Sequence, residues 1–259
     1  MKWRNIALVA GGLLIAGAGA VWWLSRTAPV LTVATWAGPY GRAQASAMFT
    51  PYSAQAWVDV RIAQYDGGLE ELRGQVGAHR YDWNVIDLEL PDAIAACKEG
   101  LLEPIDAASF PKSDDGVAAE NDFVPGAFGP CWVGSVVYSQ MIGFAPDRVK
   151  GTPKVIADFF DLRRYPGPRG LRRSSAKLNL ELALLASGVK PKDIYSTLST
   201  HDGVMRALAK LDTIRPFIVW WSKSSDPLKM LADQKVVFTT MPNSTLFHAA
   251  NAKQKVGAI

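Results

Sequence analysis

Residues 83–100 read WNVIDLELPDAIAACKEG, and this stretch decides the fold class. Its first part, residues 83–90, is rich in apolar and β-branched side chains, which predicts a buried strand. Its second part predicts a short helix, because Pro91 stands near the start and Gly100 comes just after the end. A strand that leads directly into a helix is the first half of a βαβ unit.

Two similar units precede this stretch. Strands predicted at 30–36 and 56–63 are followed by helices predicted at 41–50 and 67–76. Successive strand–helix units at this spacing indicate an α/β fold in which helices cover a parallel sheet, with right-handed crossovers.

The amino-acid composition changes between Phe110 and Pro130. Prolines, glycines and aspartates are frequent there, which predicts a long loop that leads to a second lobe. The basic stretch 163–175, RRYPGPRGLRRSS, is predicted to be a solvated loop rather than a nucleic-acid surface. Beyond residue 130 we predict strands at 131–139, 217–221 and 235–240, and helices at 152–160, 177–187, 191–199, 202–212 and 226–233.

The first 28 residues have the layout of an export signal. Lys2 and Arg4 precede an apolar run over residues 6–24, and a small-residue cleavage site ends at Ala20. The run also reaches the length of a membrane span, so a retained anchor is the alternative to cleavage. In both cases the body of the protein is exported, and we expect it in the periplasm.

Composition and motifs exclude several classes of function. Hydrophobic residues make up 49% of the 259 residues and charged residues 20%, which excludes a disordered or fibrous chain. Without Lys2 and Arg4 the chain has 26 basic and 24 acidic residues, too even a balance for a nucleic-acid partner. The sequence contains no dinucleotide loop, Walker loop, HExxH or GxSxG, and its histidines lack metal-ligand spacing. We therefore expect no cofactor and no metal.

The two cysteines leave three possibilities open. Cys97 and Cys131 are an even pair in an exported chain, which predicts one disulfide. Two separate buried thiols are the simplest alternative. Cys131 as a catalytic nucleophile is the third.

Aromatic and acidic residues follow the predicted strands. Trp36 and Tyr40 come after the first strand, and Asp87 and Glu89 end the third. Ligands in open parallel sheets bind outside the carboxyl ends of the strands, so these side chains are predicted to meet there. Aromatic faces and carboxylates together suit an organic cation, and Trp220–Trp221 would close the site from the second lobe. The alternatives are core packing for each tryptophan and a solvated strand end for the carboxylates.

Five segments carry a resemblance to a known family. They are ATWAGPYG (34–41), YDWNVIDLELPDAIAACKEGLLEPID (81–106), VGSVVYS (133–139), IADFFDLRRYPGPRGLR (156–172) and LADQKVVFTT (231–240). The chain from about Leu31 resembles the periplasmic solute-binding proteins of ABC transporters, closest to the spermidine/putrescine branch of the type 1 extracellular solute-binding family. The resemblance implies two α/β lobes, solute capture in the cleft between them by hinge closure, and delivery to a permease in the inner membrane.

The resemblance also implies roles for particular residues. Trp36 matches the aromatic residue that contacts the ligand in the family. Asp87 and Glu89 fall where polyamine binders carry a serine and a tyrosine, and Ser175 falls where they carry an acidic ligand. We therefore expect a monomeric, non-enzymatic binder of a polyamine or another small cationic or polar solute.

The resemblance predicts lobe boundaries as well. Residues 29–130 would form the N-terminal lobe and 131–259 the second lobe, which we expect to be incomplete because family members continue further. Two alternatives remain. One is a thiaminase-like catalytic relative with Cys131 as nucleophile, and the other is a membrane-anchored sensor domain that retains residues 6–24.

Overall fold

The computed structural model describes residues 27–259. The predicted apolar run at 6–24, with its signal and anchor alternatives, lies outside the described residues. Within residues 27–259, no helix combines the length and the apolarity that a membrane crossing requires.

The first sheet has three parallel strands in the order β2–β1–β3. The central strand β1 contributes the buried residues Val33 and Ala34 to the interior, and Leu69, Leu72 and Ala96 from the following helices form an apolar cluster of their own. We call this sheet with its helices the first lobe. Its elements are β1 (Val30–Trp36), α1 (Pro39–Gln44), a π-helical turn (Ala45–Phe49), α2 (Thr50–Ala56), β2 (Asp59–Tyr65), α3 (Glu70–Gly77), β3 (Val85–Ile86) and α4 (Leu90–Lys98).

The second sheet has five strands in the order β10–β6–β9–β7–β8. Strand β7 is parallel to β8 and β9, whereas β6 is antiparallel to β9 and β10. We call this sheet with its helices the second lobe. Its elements are β6 (Gln140–Phe144), β7 (Arg169–Arg172), α6 (Ala176–Ala186), α7 (Ile194–Leu198), α8 (His201–Asp212), β8 (Ile218–Trp221), α9 (Asp226–Ala232), β9 (Phe238–Pro242), α10 (Asn243–Asn251) and β10 (Gly257–Ala258), with 3-10 turns at Pro146–Arg148, Ile156–Phe160, Pro191–Asp193 and Arg215–Phe217.

The segment between the two sheets is mostly irregular. It holds a 3-10 turn at Ala107–Ser109, helix α5 (Ala119–Asp122) and the two-stranded ribbon of β4 (Phe128–Gly129) and β5 (Trp132–Val133). The predicted strand at 131–139 is therefore wrong beyond Val133. The regular strand begins only at Gln140, because β9 offers it a pairing partner that lies about a hundred residues away.

The basic stretch 163–175 is the largest correction to the sequence-based prediction. Its centre forms β7, an interior strand of the second sheet between β9 and β8, and all four residues of that strand are buried. Arg169 is completely buried, and its guanidinium donates to the backbone carbonyls of Phe159, Asp161, Tyr165 and Gly167. Burial lowers its pKa to about 10. These carbonyls satisfy a buried cation that the sequence alone would place in solvent.

Several predicted boundaries move. The helix predicted at 41–50 runs from Pro39 through the π-helical turn to Ala56, so β2 begins at Asp59 rather than at residue 56. The strand predicted at 83–90 shrinks to β3, and the helix predicted at 152–160 is only the 3-10 turn at Ile156–Phe160. The strand predicted at 235–240 begins at Phe238. Helix α10 and strand β10 were not predicted from the sequence.

A disulfide joins Cys97 and Cys131, whose Cα atoms are 5.7 Å apart. Cys97 lies in the last turn of α4, and Cys131 directly precedes β5. The bond fastens the irregular segment to the first lobe. Neither sulfur is a free thiol. Cys131, which was considered as a nucleophile, therefore has no thiol to act as one in this structure.

Candidate functional site

A row of four aromatic side chains lies in the first lobe, where Trp36 and Tyr65 end strands, Tyr40 lies in α1 and Trp83 precedes β3. Trp36 ends β1 and pairs in register with Tyr65, which ends β2. Their ring centroids are 5.5 Å apart. Tyr40 lies 6.1 Å from Trp36, and Trp83 lies 5.9 Å from Tyr65. Tyr65 is buried, but Trp36, Tyr40 and Trp83 are only partly buried and keep surface available to a bound molecule. We call these four residues the aromatic row.

Asp87 is held behind the aromatic row by two buried polar side chains. The Thr35 hydroxyl lies 2.6 Å from Asp87 Oδ2 and 2.6 Å from Gln44 Oε1, and its single proton is donated to one of them at a time. Gln44 Nε2 donates to Asp87 Oδ2 at 2.8 Å and to the Tyr40 hydroxyl at 3.0 Å. The network therefore connects the carboxylate after β3 to an aromatic ring after β1.

The same network affects the ionisation of Tyr40. Burial raises the pKa of the Tyr40 phenol, and the negative charge of Asp87 raises it further. Tyr40 therefore keeps its proton at neutral pH and offers a neutral, polarised ring to the cleft.

Glu89 makes an ion pair with Arg172 between the two lobes. Glu89 precedes α4 in the first lobe, and Arg172 ends β7 in the second. Arg172 Nη1 bonds Glu89 Oε1, and the side chains are only 9% and 15% exposed, so water screens the pair little. The Tyr138 hydroxyl donates to the same oxygen at 2.7 Å, and Arg172 Nε donates to Ser174 Oγ at 3.0 Å.

Partial burial of the Tyr138 phenol raises its pKa to about 12, and the nearby charge of Glu89 adds to the shift. Tyr138 therefore remains a hydrogen-bond donor to Glu89. It lies in the segment between the sheets, so Glu89 and the two residues that bond its Oε1 come from three different parts of the chain.

The lobes also touch through backbone and small residues. Ser224 Oγ, before α9, donates to the carbonyl of Ala37 at 3.0 Å. Gly67 has a φ of 99°, and a Cβ there would lie 3.1 Å from Arg172 Nη2. A side chain at Gly67 would therefore press on the Arg172 guanidinium. We call the space bounded by these contacts, the aromatic row and the end of β7 the cleft.

The structure places the remaining predicted residues in the second lobe. Trp221 is 4% exposed and packs with Met230 and Leu231, although its Nε1 has no hydrogen-bond partner among the described residues. Trp220 is half-exposed. Ser175 is buried at the start of α6 and does not cap that helix with its side chain.

These contacts connect Trp36, Tyr40 and Asp87 in one cluster, and they connect Glu89 with Arg172. Trp221 is the register partner of Arg172 in the second sheet, but among residues 27–259 no side-chain hydrogen bond joins Trp220 or Trp221 to either group. In the same residues, no group of three or more histidines, cysteines and carboxylates could hold a metal ion.

Sequence reasoning missed several members of this arrangement. Arg172 was missed because it belongs to a basic stretch whose composition is typical of a solvated loop. The four residues RGLR are too few to show the periodicity of a strand. Tyr65 could have been found, because it lies two residues after the second strand predicted at 56–63, where the chain leaves the sheet. Thr35 and Gln44 carried no signal, since their role depends on contact with Asp87.

Comparison with known proteins places this arrangement in a family. The sequence profile described as bacterial extracellular solute-binding protein matches residues 47–259. A gamma-aminobutyric acid-binding protein of Pseudomonas aeruginosa is 36% identical over 229 residues, which cover 88% of this chain and 63% of that protein. The chain thus spans less than two thirds of the length of this relative.

Solved structures of solute-binding proteins are also similar to this chain. The Atu4243 GABA receptor is 29% identical with a TM-score of 0.72, and the match covers 88% of this chain and 67% of that one. The periplasmic binding protein AgtB of Agrobacterium tumefaciens R10, in complex with agropinic acid, is 26% identical with a TM-score of 0.75, covering 89% and 67% of the two chains. These matches confirm the two-lobed α/β fold that the resemblance implied, and the chain belongs to the bacterial extracellular solute-binding proteins.

Proposed function

We propose that the protein is the solute-binding component of an ABC importer and that its solute is a small zwitterion, an amino acid whose amino and carboxylate groups lie at opposite ends. The observation that carries the proposal is the Arg172–Glu89 pair beside the aromatic row. A cleft that holds one shielded guanidinium and one shielded carboxylate offers a partner to each end of such a solute.

The positive end of the solute would meet the first lobe. Trp36 and Tyr40 offer partly exposed aromatic faces, to which an ammonium group binds through the ring quadrupole. Glu89 supplies the formal negative charge. Thr35 and Gln44 bond Oδ2 of Asp87, so the part of Asp87 is to orient Tyr40 through Gln44 and to add to the negative field.

The negative end of the solute would meet the second lobe. Arg172 offers donors in the fixed fork geometry that suits a carboxylate. Helix α6 begins just after it, and the buried Ser175 at that position leaves the amino end of the helix free of a side-chain cap. The partial positive charge of a helix start favours an anion there.

Arg172 also bears on the polyamine prediction, which the comparisons leave unconfirmed. A diamine has no group that pairs with a guanidinium, and the two cations would repel each other at short distance in a poorly screened site. The named relatives support a carboxylate-bearing solute instead, since one binds gamma-aminobutyric acid and another is in complex with agropinic acid.

The remaining parts of the proposal follow from the family. We propose that the protein acts in the periplasm as a monomer, hands its solute to an inner-membrane permease, and catalyses no reaction. Lobe boundaries at 130 and 131 remain part of the proposal, as do contacts of Trp220 and Trp221 with the solute.

Titration calorimetry tests the proposed solute class. We expect 4-aminobutyrate to bind the protein at least about 10-fold more tightly than butane-1,4-diamine, because the diamine lacks the carboxylate that Arg172 would bind. Arg172→Gln is expected to weaken the binding of 4-aminobutyrate by about 10- to 100-fold. The matched control is Arg173→Gln, since Arg173 is exposed and makes no contact in the cleft. Tighter binding of the diamine, or an unchanged affinity in Arg172→Gln, contradicts the proposal.

A further inference from the structure

We infer that Glu89 competes with the carboxylate of the solute for Arg172. Glu89 is bound to Arg172 in the empty cleft. Only a solute that carries both charges can replace this ion pair without leaving one shielded charge without a partner. The inference rests on the proposed function and makes Glu89 a specificity-determining residue. Its basis is the juxtaposition of Glu89 and Arg172 across the two lobes.

Among residues 27–259, Glu89 is the salt-bridge partner of Arg172, and the Ser174 hydroxyl, which accepts from Arg172 Nε, is neutral. If a solute carboxylate takes Arg172, Glu89 loses its only cationic partner among these residues while remaining shielded from water. A shielded carboxylate without a partner is strongly unfavourable.

Neighbouring carboxylates increase this penalty. The pKa of Asp92 is raised first by burial and then by the charge of Glu89, while the charge of Arg172 lowers it, so Asp92 lies in the field of both partners of the pair. A Glu89 that has been released from Arg172 would therefore stand in a negative field. An ammonium group arriving at Glu89 relieves this field, and a solute without one does not.

The Glu89–Arg172 pair therefore discriminates between solutes by whether they can replace both of its members as partners. An anionic solute would leave Glu89 unpaired, and a cationic solute would leave Arg172 unpaired. A zwitterion replaces both partners at once. Tyr138 keeps its hydrogen bond to Glu89 throughout and holds the carboxylate in position for the exchange.

The first experiment needs no solute. Melting temperatures are measured for the protein, Glu89→Gln, Arg172→Met and the double variant. If the pair forms in the empty cleft, the double variant loses less than the sum of the single losses, by about 2–6 °C. Additive losses overturn the inference, whatever the protein binds.

The second experiment measures selectivity. Calorimetric affinities for 4-aminobutyrate and butyrate are compared in the protein, in Glu89→Gln and in Glu71→Gln, which removes an exposed carboxylate of α3 that bonds neither Arg172 nor Glu89. We expect Glu89→Gln to bind butyrate at least about 10-fold more tightly than the unmodified protein does, because Arg172 is then free without a charge left behind. Glu71→Gln should leave the ratio of the two affinities within about 3-fold of its original value.

The outcomes separate the two hypotheses. If 4-aminobutyrate binds and Glu89→Gln does not improve butyrate, the competitor role is refuted while the proposed function stands. If 4-aminobutyrate does not bind the protein at all, the proposed solute class is refuted, and the coupling of melting temperatures alone decides whether the pair exists in the empty cleft.

Discussion

Trp36 and Tyr65 are partners in register at the ends of β1 and β2, and their ring centroids lie 5.5 Å apart. Tyr65 is buried and Trp36 only partly so, which means that Tyr65 packs against Trp36 while part of the Trp36 side chain stays exposed. Tyr65 thus belongs to the interior, and the exposed part of Trp36 is the surface that the proposed solute would contact.

This difference predicts the effect of truncating Trp36. Trp36→Ala should weaken solute binding by about 2- to 30-fold, since a cation on an aromatic face contributes about 0.5–2 kcal/mol. The cost in stability should be small, because an aromatic pair contributes about 0.5–1.5 kcal/mol beyond area burial. Calorimetry and thermal unfolding measure the two effects, with Tyr81→Ala as an exposed control. A loss of about 3–5 kcal/mol in unfolding free energy would instead identify Trp36 as core.

The Thr35 hydroxyl is predicted to be a structural requirement of the site. Thr35 is 1% exposed, and Thr35→Val keeps its shape but removes the proton shared between Asp87 and Gln44. The unfolding free energy should fall by about 1–3 kcal/mol, because a buried polar group loses its partner. Urea denaturation measures the loss, and Thr32→Val on the same strand is the control. Equal stability of the two variants would show that the network does not stabilise the fold.

Asp92 predicts a specific pH dependence. Burial, and then the charge of Glu89, raise the folded-state pKa of Asp92 above its ordinary value of 3.8. The native protein therefore binds more protons than the unfolded chain in the window above 3.8, and stability falls as the pH rises through that window. Asp92→Asn cannot ionise, so it should melt higher than the protein at pH 7 and at the same temperature near pH 3.

Melting curves of both proteins between pH 3 and pH 7 test this sign, with the exposed Asp115→Asn as control. A lower melting temperature of Asp92→Asn at pH 7 would mean that the charge of Asp92 stabilises the start of α4 more than burial disfavours it.

The disulfide should contribute measurably to stability. Cys97 and Cys131 are 34 residues apart, and closing a loop of that length contributes about 3–4 kcal/mol in the chain-entropy account. A double Cys97→Ala, Cys131→Ala variant should lose that amount in urea denaturation. Reductant should destabilise the protein to the same extent and leave the double variant unchanged. Two free thiols found by mass spectrometry in unreduced exported protein would contradict the bond.

The first lobe shows how much of the fold local patterns predict. Strand β1 occupies the predicted residues 30–36, and the order of the three βα units is as predicted. The ends of elements are less predictable, because a π-helical turn carries the first helix past residue 50 to Ala56. The site was predicted in part, since Trp36, Tyr40, Asp87 and Glu89 follow strands whose carboxyl ends meet.

The sequence by itself determined the alternation of strands and helices, because apolar periodicity, prolines and glycines act within a few residues of one another. Only the tertiary structure decided that Arg169 and Arg172 are buried, since a buried cation requires partners and none is visible locally. Backbone carbonyls collected by a turn satisfy Arg169. Glu89 satisfies Arg172 from 83 residues away, in the other lobe. A charged stretch therefore became an interior strand of the second sheet, because a turn close in sequence supplies partners for Arg169 and a distant residue supplies one for Arg172.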